Sequence, residues 1–171
     1  MKAHEILQSF PEEAASEMFE YLYGNDKPAY RACLRVLAVR RKLRPVVLER
    51  KTRAERHAWM QAELARKAND DAATEALQTW LIGGHQQLIC SFLDSLGVAH
   101  DGRGLLDTLP PEPQKERLQE AVDRLLDNHS RSAAIAYLHL FCKMDIADWP
   151  TLKEIINQDP RLCLAPQWLP T

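Results

Sequence analysis

The residues best suited to chemistry in this chain are a run of arginines and lysines between Arg31 and Lys67. This stretch holds twelve basic residues and three acids, whereas the whole chain of 171 residues has a formal net charge of −2. The rest of the chain therefore carries an excess of acids. Charges segregated in this way predict an anionic partner, which is either another molecule or an acidic part of the same protein.

Helical spacing places several of these cations on neighbouring turns. Arg50, Arg53 and Arg56 are three residues apart, so in a helix they project from adjacent turns. Such a row can contact successive anionic groups by charge-assisted hydrogen bonds. The predicted contact residues are Arg40, Arg41, Arg44, Arg50, Arg53, Arg56 and Trp59.

Two functions compete for this basic segment. A long, thinly apolar basic helix beside acidic segments suits charge-complementary pairing with a protein partner or between subunits. This pattern predicts a non-catalytic adaptor or assembly protein that forms a homodimer. Contact with phosphates, with Trp59 stacking on an unpaired base, predicts a nucleic-acid-binding protein instead. The sequence pI near 6.3 is low for a dedicated nucleic-acid binder, so protein assembly is the first hypothesis and nucleic acid the alternative.

A second group of residues with chemical potential is the pair His100-Asp101 in the segment AHDGRG. The pair resembles the metal-dependent phosphohydrolases of the HD family, in which paired His and Asp side chains hold divalent metals. The resemblance implies further ligands from other helices, and His57 or His85 and Asp145 would have to supply them. The flanking glycines place the pair in a loop, whereas that family sets it on a helix. A tight glycine turn, in which Asp101 bonds its own backbone, is the alternative, so a phosphohydrolase is the third hypothesis.

A third group, His139 and Cys142, has a spacing of one helical turn that zinc ligands also use. The nearest further ligands, His129 and Cys163, form no recognisable second pair, and a buried helix face explains the same residues. The four cysteines are scattered singly, which predicts reduced thiols. The sequence has no GxSxG motif and no glycine-rich phosphate loop, so we predict no cofactor and favour a non-enzymatic role.

The elements that must position these residues are helices. Apolar residues recur at helical spacing, and no stretch alternates at the period of a strand. We therefore predict an all-α protein of about eight helices packed as an irregular orthogonal bundle, with a short helical-repeat array as the alternative. One long polar helix is predicted from about Val46 to Ala68, followed by an apolar central helix or helix pair interrupted at Gly83-Gly84.

Length and composition predict a single cytoplasmic domain. The chain is of ordinary domain size, and the prolines of LPPEP predict a subdomain division near residues 105–113. No window approaches the ~20 apolar residues that a membrane span requires. The N-terminal sequence lacks the apolar run of a signal peptide, so we expect no membrane association.

Overall fold

The computed structural model describes residues 1–106, 108–143 and 148–162, with the side chain of Pro45 excepted. Every regular element in these ranges is helical, which confirms the predicted all-α multi-helix fold. A short 3-10 turn, Lys67–Asn69, interrupts the series of α-helices. The α-helices are α1 (Ala3–Ser9), α2 (Glu12–Asn25), α3 (Lys27–Arg41), α4 (Pro45–Glu49), α5 (Arg53–Leu64), α6 (Asp70–Gly84), α7 (Gln86–Ser95), α8 (Lys115–Asn128), α9 (Arg131–Phe141) and α10 (Pro150–Gln158).

The described residues form ten α-helices where about eight are predicted, because two long predicted segments are each divided. The segment predicted as one helix from Val46 to Ala68 is α4 and α5, separated by a short break. Thr52 starts α5 with a capping box. Its Oγ1 accepts a hydrogen bond from the Glu55 N–H at 3.3 Å, and the Glu55 carboxylate accepts one from the Thr52 N–H at 3.1 Å. The T-x-x-E pattern of this box is present in the sequence and is the signal for the break.

The apolar central segment is a pair of helices, which is one of the two forms that the sequence predicts. Residue His85 separates α6 from α7 with non-helical backbone angles (φ −124°, ψ 34°). The two glycines before it each disfavour a helix interior by about 1 kcal/mol relative to alanine. The low helix propensity at Gly83-Gly84 thus coincides with the end of α6.

The described residues form two compact units, one up to Trp80 and one from Leu81. Residues 105–113, where the sequence predicts a subdomain division, lie inside the second unit. The single-domain assignment itself stays a prediction.

In the first unit, α5 packs against α1, α2 and α3. The buried Gln61 joins α5 to the end of α1, because its Nε2 donates hydrogen bonds to the carbonyls of Leu7 and Phe10 at 3.1 and 2.9 Å. These carbonyls lie at a helix end, where backbone acceptors lack partners within the helix. The fully buried core around these contacts includes Ile6, Leu7, Met18, Phe19, Leu22, Leu37 and Met60.

In the second unit, α8 contacts α7, α9 and α10. Residues Ala133 to Phe141 of α9 are all buried, so this helix is covered around its circumference. Among the described residues, no helix combines the length and the hydrophobicity needed to cross a bilayer.

Candidate partner-binding site

The cations of the candidate site come from the end of α3, the following loop, α4 and the turn before α5. Lys42 ends α3 in the left-handed conformation (φ 52°), and the Leu43 N–H returns to the Ala38 carbonyl at 3.0 Å. This pattern closes the helix end and redirects the chain into α4. The fully buried Leu48 anchors α4 to the first unit. We call residues 39–51 the basic tip.

Trp59 of α5 holds the two ends of the basic tip together. The guanidinium of Arg41 lies 4.5 Å from the centre of the Trp59 ring, and the ammonium of Lys51 lies 5.3 Å from it. Each cation–π contact of this kind contributes about 0.5–1 kcal/mol at an exposed site. Because both ends of the tip contact one ring, the residues between them form a compact loop. The Trp59 ring thus already has cation–π contacts with two residues of this chain.

The basic tip mixes cations with exposed aliphatic side chains. Val39 is 79% exposed, Val46 53%, Val47 41% and Leu43 37%. Six basic residues of the same segment are exposed as well: Arg40, Arg41, Lys42, Arg44, Arg50 and Lys51. Single exposed apolar residues are common, but here four of them occur within nine residues of the chain, and grouped exposed apolar residues are typical of an interaction site.

Several cations of the basic tip have no acidic partner. Within the described residues, Lys42, Arg44 and Arg50 form no ion pair. Two neighbouring acids contact other cations. Glu63 lies 3.3 Å from Arg66 and 4.0 Å from Arg40, and Glu55 lies 3.6 Å from Lys51. Glu49 is the one acid of the tip, so positive charge remains in excess around α4.

Arg53 is committed to contacts within the first unit. Its Nη1 donates a hydrogen bond to the Glu20 carboxylate at 2.8 Å, and its guanidinium carbon lies 5.1 Å from the centre of the Tyr23 ring. Both contacts join the first turn of α5 to α2. The side chain is about half exposed, so the ion pair contributes little to stability by itself. To bind an external anion, the guanidinium of Arg53 would have to divide its hydrogen bonds between that anion and Glu20, or give up its bond to Glu20.

Arg56 and His57 lie in the interior of the first unit, 8% and 2% exposed. The ring of His57 bridges two hydroxyls: its Nδ1 lies 3.4 Å from Ser16 Oγ, and its Nε2 lies 3.4 Å from Tyr30 Oη. Burial lowers the pKa of His57, and Arg56 acts in the same direction, while Glu20 opposes them. Burial also raises the pKa of Tyr30. The Nε of Arg56 has no hydrogen-bond partner among the described residues.

The structure thus distributes the seven predicted contact residues over three environments. Arg40, Arg41, Arg44 and Arg50 are exposed on the basic tip, and Trp59 is half-buried beneath two of its cations. Arg53 pairs with Glu20, and Arg56 is buried.

The exposure of the valines on this surface is not predicted by the sequence pattern. The sequence places Val47 on the apolar stripe of a long helix, which predicts that it is buried. The capping box at Thr52 ends that stripe and leaves α4 only five residues long. Leu48 alone is buried among the apolar residues of α4 whose side chains are described, so Val46 and Val47 face away from the core.

The His100-Asp101 pair lies in a glycine turn, as the alternative reading of the sequence predicts. The Asp101 carboxylate accepts hydrogen bonds from the backbone N–H groups of Arg103 and Leu105, at 2.8 and 3.0 Å. These bonds lower the pKa of Asp101. The Nδ1 of His100 accepts from the Gly102 N–H at 3.1 Å, and its Nε2 lies 3.1 Å from Asp94. One ring nitrogen of His100 therefore bonds within the loop, and the other lies beside a carboxylate of α7.

The described residues contain no group of three His, Cys, Asp or Glu side chains placed to hold a metal ion. Asp145 and Cys163, which the metal hypotheses require, lie outside those residues. Burial raises the pKa of Cys142 to about 11, so its thiol stays protonated near neutral pH.

The basic tip as a whole is a positively charged and partly apolar surface on the first unit. Such a surface can pair with anionic groups and bury aliphatic side chains of a partner at the same time. In comparisons with known proteins, no family model, no curated protein and no solved structure matches the chain.

Proposed function

We propose that the chain is a non-catalytic adaptor or assembly protein that binds an acidic protein partner through the basic tip. The observation that carries the proposal is the exposed positive charge at Lys42, Arg44 and Arg50, which forms no ion pair within the described residues. Charge complementarity across an interface accelerates association and selects among partners. The partner therefore presents carboxylates at this surface.

Nucleic acid is the rival partner for the same cations, and two features of the tip favour protein. Arg41 and Lys51 lie over the ring of Trp59, so a base would have to displace one of them to stack there. The exposed aliphatic side chains gain little from a phosphate backbone, whereas apolar side chains of a protein can cover them.

The homodimer expected from the sequence fits this proposal in one arrangement only. A twofold axis through the basic tip would place two positively charged surfaces against each other, and such like-charge contacts are unfavourable. A second copy would instead have to meet the tip with an acidic surface. Residues 81–171 hold twelve acids and eight basic residues, so another copy carries the required charge.

The proposal is tested by following backbone amide shifts of the ¹⁵N-labelled full chain during titration with poly-L-glutamate at low salt. We expect the shifts to concentrate in residues 39–51 and the affinity to fall as salt screens the charges. The double substitution Arg44→Glu and Arg50→Glu should weaken binding by about tenfold or more, because both side chains are exposed and unpaired. The matched control, Arg103→Glu with Arg124→Glu, makes the same change in net charge in the second unit and should retain binding.

An absence of shifts in the basic tip at low salt would contradict the proposal, as would an equal loss of affinity in both double variants. Light scattering over a range of protein concentrations tests the dimer separately. A mass that stays at the 19.6 kDa of one chain would refute self-association and leave a different acidic protein as the partner.

A further inference from the structure

From the arrangement of apolar side chains on the basic tip, we propose that the partner contributes an acidic amphipathic segment of another protein, with aliphatic residues on one face and carboxylates beside them. This inference rests on the proposed function and specifies the chemistry of the partner. It predicts that binding depends on the valines of the tip as well as on its charge.

The apolar part of the tip is built by two helix ends and the loop between them. Val39 lies in the last turn of α3, Leu43 follows the left-handed residue that ends this helix, and Val46 and Val47 occupy α4. The contact between α3 and α4 keeps these residues on one compact loop. Four aliphatic side chains, each more than a third exposed, thus occur where a partner can reach them.

The cations flank this apolar group along the chain. Lys42 and Arg44 precede the two valines of α4, and Arg50 follows them, without ion pairs among the described residues. A partner that offered only carboxylates would leave the valines in water, and one that offered only apolar groups would leave the cations unmatched. An amphipathic acidic segment matches both, because its helical spacing places Leu or Ile on one side and Glu or Asp alongside.

Two labelled peptides of identical composition provide the test. Each has about 18 residues of Leu and Glu; one places the leucines at i, i+3, i+4 and i+7, and the other scrambles them off a common face. Fluorescence anisotropy with the full chain measures both affinities. We expect the amphipathic peptide to bind about tenfold tighter than the scrambled one. The double substitution Val46→Ser and Val47→Ser should remove that preference while leaving the affinity for the scrambled peptide unchanged.

Each outcome separates the inference from the function on which it rests. Equal affinity for the two peptides would overturn the inference, and so would an unchanged preference in the serine variant. In either case, a loss of both affinities on charge reversal at Arg44 and Arg50 would still support the proposed function. Failure of both peptides to bind would overturn both proposals. The variant Val46→Ala with Val47→Ala, which favours helix in α4, repeats the test if the serine variant unfolds.

Discussion

At the scale of single residues, Gly104 allows the loop after α7 to lie directly against that helix. Its φ of +83° belongs to the left-handed region, and a Cβ added there would press into the side chain of Ile89. Gly102 has a similar φ of +81°, yet a Cβ there would meet no atom within 4 Å. Both positions therefore require a positive φ, but only Gly104 also lacks space for a side chain.

Substitution of Gly104 by alanine is expected to lower the free energy of unfolding by about 2–3 kcal/mol, because backbone strain and overpacking add. Gly102→Ala should cost about 1 kcal/mol, since only the backbone strain applies. Urea denaturation of both variants measures the difference. Equal stabilities would contradict the close packing of Gly104 on Ile89.

The buried imidazole of His57 predicts a pH-dependent stability. Burial lowers the pKa of His57 in the folded state below the ordinary value of 6.5, so the unfolded chain binds this proton more readily. The stabilisation is complete above about pH 6.5 and is lost as pH falls toward the folded pKa. Ser16, Tyr30, Glu20 and Arg53 are the polar groups around the ring in addition to Arg56.

We expect the unfolding free energy of His57→Gln to fall less between pH 7 and pH 5 than that of the natural chain. The slope attributable to this one proton is at most about 1.4 kcal/mol per pH unit. Urea denaturation at several pH values gives the change in unfolding free energy per pH unit for each protein. This slope can be compared between the two proteins even if the substitution itself lowers stability. Identical slopes in the two proteins would show that His57 does not titrate differently on folding.

Residue spacing predicts which cations are close along the chain, but it cannot predict which are already paired. Arg50, Arg53 and Arg56 have equal spacing, yet only Arg50 is both exposed and unpaired. The pairing of Arg53 depends on Glu20, which is 33 residues away in sequence. Contacts of this range follow from the packing of α5 on α2, which no local pattern encodes.

At the scale of elements, the proline-rich segment before α8 is tied to the start of α10. The Glu112 carboxylate accepts hydrogen bonds from the Thr151 Oγ1–H and the Leu152 N–H, both at 2.9 Å, and Trp149 Nε1 donates to the Pro110 carbonyl at 3.3 Å. Glu112 thus acts as an N-terminal cap that comes from a distant part of the chain. The segment is a structural part of the second unit.

Removal of this cap by Glu112→Ala should lower the free energy of unfolding by about 1–2 kcal/mol and speed hydrogen exchange at the Leu152 amide. The control Glu120→Ala removes an exposed carboxylate of α8 whose contact with Arg124 is 3.9 Å long. It should change stability by less than about 0.5 kcal/mol. Equal effects of the two substitutions would contradict the capping role of Glu112.

The helical character of nearly every element follows from apolar spacing and can be predicted from the sequence. The break between α4 and α5 also has a sequence signal, the Thr52–Glu55 capping box, which competes there with a continuous helical pattern. The cap supplied by Glu112 has no such signal, since 40 residues separate the carboxylate from the Leu152 amide. Local sequence patterns therefore predict the helices, whereas the hydrogen bonds between distant parts of the chain depend on tertiary packing.

For the molecule as a whole, we propose that the first unit offers cations and aliphatic side chains together to an acidic protein. Residues 1–80 hold fourteen basic residues and twelve acids, so the first unit is not strongly basic overall. Its exposed positive charge is concentrated in the basic tip, where six cations accompany one acid, Glu49. A local concentration of this kind attracts anionic groups to one surface of a chain whose formal net charge is −2.

Competition for the full chain between the amphipathic acidic peptide and mixed-sequence oligonucleotides, followed by fluorescence anisotropy at about 0.15 M salt, distinguishes a protein partner from nucleic acid. We predict that single- and double-stranded oligonucleotides fail to displace the peptide at equal concentration, and that Arg44→Glu with Arg50→Glu weakens peptide binding by about tenfold or more. Displacement of the peptide by an oligonucleotide, with a steep loss of oligonucleotide affinity as salt rises, would overturn the proposed acidic protein partner and identify nucleic acid instead.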